Sequence, residues 1–191
     1  MSRRVTDGCV SILLLTLLGV VKGALAADPP HTVDFVDLER YMGRWYEIAA
    51  LPNFFQRHCV RGTTADYSLG GDGLVSVTNR CETENGEVDE ARGVARSNTP
   101  ETNAKLEVSF VNVLGKQLFW GDYWIIGLGE DYDYALVGTP SRRWGWILAR
   151  KPKPSLQEID VWLERLRVQG YDPKAFVLTD QSARGAEGAK R

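Results

Sequence analysis

Apolar and polar residues alternate with a period of two over most of the central part of this 191-residue chain. The run 104–110 shows it most cleanly: Leu106, Val108 and Phe110 share one face, and Lys105, Glu107 and Ser109 share the other, as in a half-buried strand. Similar runs cover 63–69, 74–79, 88–96, 120–127, 132–138 and 144–150, separated by turn residues such as Gly70-Gly71-Asp72-Gly73 and Asn85-Gly86. A first strand, from Trp45 to Leu51, precedes them and stops at Pro52. Eight consecutive strands with short connections predict an all-β fold, an eight-stranded up-and-down antiparallel β-barrel, which leaves no unpaired sheet edge.

The period changes to that of a helix after Lys151-Pro152-Lys153-Pro154. Ser155 and Glu158 have the spacing of a capping box. Leu156, Ile159, Leu163 and Leu166 form an apolar stripe with Trp162 beside it, and Gly170 supplies the stop. One C-terminal α-helix packed outside the barrel follows, then a short ninth strand over 175–179 and a disordered tail over 182–191. Upstream, Asp37 can cap one or two helical turns before Gly43. Phe54 and Phe55 form either a lid over a cavity or a tuck beneath their own loop.

Residues 1–26 fit a cleavable signal peptide: Arg3 and Arg4, an apolar run from Val10 to Val21, then Ala24-Leu25-Ala26. The protein is expected to be exported, periplasmic or secreted, with one barrel domain over 27–181. Cys9 precedes the apolar run, so it does not have the placement of a lipoprotein cysteine. The formal net charge is −2, and removal of Arg3, Arg4 and Lys22 with only Asp7 makes the remainder more acidic. That balance argues against nucleic acid and against strong attachment to anionic membranes. No strong basic cluster stands out near the expected open end.

Past the leader only Cys59 and Cys81 remain, and in an exported protein the economical arrangement is one disulfide between them. A hairpin places them roughly opposite, with a bulge or a longer loop needed to correct the register. His31 and His58 are too few for a metal site or a triad, and Gly-x-Ser-x-Gly, phosphate-loop and dinucleotide patterns do not occur. No metal or cofactor is called for, and a binding protein is favoured over an enzyme.

Three stretches carry a family resemblance: Gly43-Arg44-Trp45-Tyr46-Glu47, Asp131-Tyr132-Asp133-Tyr134-Ala135-Leu136-Val137 and Trp146-Ile147-Leu148-Ala149-Arg150. In this order, with the helix after them, they resemble the lipocalins, most of all the bacterial lipocalins and apolipoprotein D. The resemblance implies that Gly43, Trp45 and Arg150 close one end of the barrel, with Arg150 lying across Trp45. It also implies a small hydrophobic ligand, a fatty acid or lysophospholipid. The wall candidates are Trp124, Tyr134, Trp146, Leu106, Val108, Phe110 and Tyr67. Whether the barrel is hollow or filled by side chains stays open, as does its oligomeric state. Two other readings stand beside the carrier: an interaction or inhibitor module using the open-end loops, and an enzyme acting on a lipid-like substrate.

Overall fold

The computed structural model describes residues 28–182. The leader over 1–26 and the tail beyond Ser182 lie outside the described residues. A short helix α1 (Leu38–Tyr41) leads into strands β1 (Gly43–Ala50), β2 (Cys59–Leu69), β3 (Val75–Thr83), β4 (Val88–Ser97) and β5 (Lys105–Ser109). A small hairpin of β6 (Val111–Val113) and β7 (Lys116–Leu118) interrupts the series before β8 (Gly121–Leu128), β9 (Tyr134–Gly138) and β10 (Gly145–Ala149). Helix α2 (Leu156–Val168), a 3₁₀ turn and β11 (Val177–Leu178) follow among the described residues.

Each strand of the main sheet pairs antiparallel with its neighbour, and β10 pairs back onto β1, closing an eight-stranded barrel. The expected architecture is therefore present, including the ninth strand, which extends the sheet beside the upper half of β1. The β6–β7 hairpin was not anticipated from the sequence; it projects from the β5–β8 connection. Both caps formed as the spacing suggested. Asp37 accepts from the amides of Glu39 and Arg40, and Ser155 and Glu158 form a reciprocal capping box.

Two apolar clusters divide the molecule. One fills the lower barrel interior around Trp45, Val75, Val77, Leu106, Ile125 and Leu148. The other lies outside, where α2 sets Ile159, Trp162 and Leu166 against Ile126, Leu136 and Ile147 of the wall. Leu156 does not join that stripe: it sits at the helix start and is 74% exposed, so the buried face begins one turn later, at Ile159.

The cysteines form the expected disulfide, with Cα atoms 5.5 Å apart. The register correction is also present: β2 slips against β3 between Cys59 and Thr64. His58 lies close to both sulfurs, but oxidised sulfur offers no thiolate for a metal.

Candidate functional site

The lower end of the barrel is a stacked closure. Gly43 has φ +90°, a left-handed conformation that suits glycine, and an added Cβ there would stand 3.4 Å from an Arg150 guanidinium nitrogen. Trp45 is fully buried and donates from Nε1 to the Tyr41 carbonyl at 2.8 Å. The Arg150 guanidinium lies 3.8 Å above the indole centroid. Its nitrogens donate to the carbonyls of Arg40, Tyr41, Arg44 and Tyr132. One cation thus covers the indole and ties β10 to the α1–β1 corner and the β8–β9 turn.

Above this floor the inward positions follow from strand register. Trp45 faces Ala65, Ala65 faces Asn79 and Asn79 faces Ala91. Across the barrel, Leu148 and Trp146 point inward from β10, and Leu106 and Val108 from β5. Exposure along these columns rises from floor to mouth. Leu106 is 4% exposed, Val108 half-buried and Phe110 42% exposed. On β4 the sequence Ala95, Gly93, Ala91 runs from buried through half-buried to exposed, and on β10 Leu148 is buried and Trp146 half-buried. The interior is thus packed at the floor, and its inward residues become more exposed toward the rim, the outline of a cup. The Phe110 ring packs over Gly93 of the neighbouring strand, where an added Cβ would stand 2.7 Å from the ring.

Polar groups punctuate the apolar wall at three places. The Tyr123 hydroxyl bonds to those of Tyr41 and Tyr67, at 2.9 and 3.1 Å. Burial, chiefly, pushes the Tyr67 phenol up to about 12 and those of Tyr41 and Tyr123 well above the usual range, so all three act as neutral donors and acceptors. Asn79 has a buried Oδ1 with no hydrogen-bond partner, an unusual state for a buried carbonyl. Near the mouth, Glu47 stands opposite Leu148, on the inward side of β1. Its carboxyl accepts from Gln56 Nε2 and Thr179 Oγ1, and Gln56 Oε1 accepts from the Trp146 indole. Desolvation raises the Glu47 pKa, and the two hydrogen bonds oppose that rise.

The wall candidates divide accordingly. Leu106, Val108, Trp146 and Tyr67 belong to or pack on the interior cluster, and Phe110 lies toward the mouth. Trp124 and Tyr134 do not face the interior. Trp124 is on the outside of β8, with the Lys105 ammonium 4.3 Å from its ring centroid and residues 28–32 beside it. Tyr134 stacks on Trp162 of α2 at 5.0 Å, and its hydroxyl accepts from Arg165. On β8 the inward neighbours are Tyr123 and Ile125 instead. Tyr123, Asn79, Glu47 and Gln56 were not singled out from the sequence. For Tyr123, strict alternation along β8 was the signal available.

A family model described as a lipocalin-like domain matches residues 36–181. The chain belongs to the lipocalins. Temperature-induced lipocalin-1 of Arabidopsis thaliana is 37% identical over 155 residues, covering 80% of this chain and 83% of that protein. The outer membrane lipoprotein Blc of Vibrio cholerae is 34% identical, covering 90% and 98%. Mouse apolipoprotein D is 32% identical, covering 81% and 82%. Among solved structures, insecticyanin from the tobacco hornworm Manduca sexta superposes with a TM-score of 0.66 at 22% identity, covering 84% of this lipocalin and 87% of that chain. Lipocalins generally bind small hydrophobic ligands.

Proposed function

We propose that this lipocalin binds and carries a fatty acid or lysophospholipid, with the acyl chain in the cup and the polar head at the mouth. The observation that carries the reading is the floor-to-mouth rise in exposure of inward residues, the pattern that an apolar space open at one end would give. Such spaces, apolar with a few placed polar groups, are typical of small-molecule sites. Leu106, Val108, Phe110, Trp146, Tyr67 and Tyr123 would touch the chain, and the unpartnered Asn79 Oδ1 would accept from a hydroxyl or amine. Glu47, as a carboxyl on the wall, gives a carboxylate head no reason to descend, which favours the head-out orientation. We take the protein to be a carrier rather than an enzyme. The disulfide suits an oxidising compartment, in keeping with export to the periplasm or outside the cell.

The test is a titration of delipidated protein with C10 to C18 fatty acids and a lysophospholipid, followed by tryptophan fluorescence. Affinity should rise by about 0.8 kcal/mol per methylene until the cup is full, then level off. Absence of saturable binding by all of these, with the protein shown to be folded, would end the carrier reading.

A further inference from the structure

Three of the four open-end loops share a composition that the fourth reverses. Residues 51–58, 110–120 and 139–144 contain no Asp or Glu, and they carry the exposed cations Arg57, Lys116 and Arg143. The first of these loops presents Phe54 and the second Leu114 and Phe119, respectively 68%, 99% and 81% exposed. The fourth connection, over 84–87, is Glu-Asn-Gly-Glu. Because β10 pairs with β1, the three apolar-cationic loops are consecutive around the rim, and a 5.5 Å ring contact between Phe55 and Trp144 joins two of them.

Leu114 is the residue hardest to explain from within the chain. Val113 pairs with Lys116, so Leu114 and Gly115 form a two-residue hairpin turn, with φ of +51° and +81°. Such turns favour Asn-Gly, because a left-handed backbone crowds an ordinary Cβ. Phe119 also has positive φ, +57°. Both positions therefore combine a disfavoured backbone with large apolar side chains facing water, and the fold gains from neither. An occupant outside the chain can. Apolar tips interleaved with Arg and Lys match the boundary between headgroups and acyl chains of an anionic bilayer.

We propose that this rim docks reversibly on an anionic lipid surface, inserting Phe54, Leu114 and Phe119 with Arg57, Lys116 and Arg143 at headgroup level, and with the 84–87 turn tilted away. The mouth of the cup then faces the membrane. The docking does not depend on the nature of the cargo, so it can succeed or fail separately from the carrier reading. The sequence expectation of no strong attachment rested on net charge, which averages this cationic arc with the acidic remainder.

The test is flotation of delipidated protein with phosphatidylcholine vesicles, with and without ~30 mol% phosphatidylglycerol. Binding should require the anionic lipid and fall as salt is raised. Leu114→Ser with Phe119→Ser should lower it at least tenfold, and Arg57→Ala with Lys116→Ala about 25-fold, at roughly fivefold per cation. Leu156→Ser, at a similarly exposed apolar site at the start of α2, should leave it unchanged, and denaturant midpoints should show every variant folded. No binding to either vesicle would overturn the proposal, as would equal binding by the Leu114/Phe119 variant. Sedimentation showing a dimer abolished by that variant would also overturn it, by assigning the rim to a second copy.

Discussion

The two ends of the barrel handle their aromatic residues in opposite ways. At the lower end Trp45 is sealed under Arg150, whose guanidinium satisfies four backbone carbonyls, and Tyr41 lies against the indole at 4.9 Å. At the upper end Phe54 and Phe55 meet only edge-on and lean toward Trp144, leaving much of their surface to solvent. Each end thus has a cation over an indole: Arg150 over Trp45 below, and Arg143 over Trp144 at 5.0 Å above. The lower pair is locked by hydrogen bonds to the α1–β1 corner and the β8–β9 turn, while Arg143 is an exposed loop residue. The lesson is a division of labour: stability is concentrated at the floor, which leaves the rim able to keep apolar surface for binding.

Breaking the floor should have the largest effect. Arg150→Ala strips the indole of its cover and removes the hydrogen bonds to four backbone carbonyls, at a cost of about 3 kcal/mol. Arg92→Ala, which touches only an exposed ion pair with Glu90, should shift a denaturant midpoint hardly at all. Equal midpoints for the two variants would dissolve the contrast between the ends. Next comes the disulfide, which pins β2 to β3 near the mouth. Replacing both cysteines by serine should cost up to about 3 kcal/mol, read by the same titration. A loss larger than that of Arg150→Ala would place the stability at the wrong end.

The wall offers a sharper pair. Trp146→Ala should weaken acyl-chain binding about tenfold, or ~1.4 kcal/mol. Trp124→Ala should leave affinity unchanged, because that indole is outside the barrel. A loss of affinity for Trp124→Ala alone would reverse the assignment of the two faces.

The smallest expected effect concerns pH. The folded-state pKa of Glu47 is raised above its ordinary value of 4.5. The native state then holds a proton that the unfolded chain gives up. The resulting stabilisation is complete below pH 4.5 and is lost as pH rises through the folded pKa. Glu47→Gln should flatten that decline in a stability-versus-pH series. A profile unchanged from the wild type would show that the carboxyl titrates normally.

Much of the architecture was legible because its determinants are local. Period-two alternation, the Ser155–Glu158 capping box and the glycine before Trp45 each act within a few residues. Trp124 and Tyr134 were misplaced for a physical reason. Alternation separates inside from outside only when one face meets water, and these strands bury both: α2 covers the outer face of β9, and residues 28–32 flank Trp124. A helix expected outside the barrel already implied some strands apolar on both faces, so the signal existed but pointed to a strand rather than a residue. The β6–β7 hairpin escaped because its turn is Leu-Gly rather than Asn-Gly. The cationic arc escaped because its members are far apart in sequence and converge only when the barrel closes.

The last residues of the fold have a consequence for how the chain is made. β11 pairs with the upper part of β1, and Gln181 donates to the carbonyls of Glu47 and Thr63, bridging 134 and 118 residues of sequence. The seam between β1 and β2, which part where β2 slips in register, is thereby held shut from the far terminus. The barrel closes once β10 meets β1, but this seam cannot be clasped until residue 181 has left the ribosome, and pairings of such long sequence separation form slowly. The nascent chain must meanwhile hold the unpaired edge of β1 out of reach of other strands, a hazard that lasts as long as synthesis does.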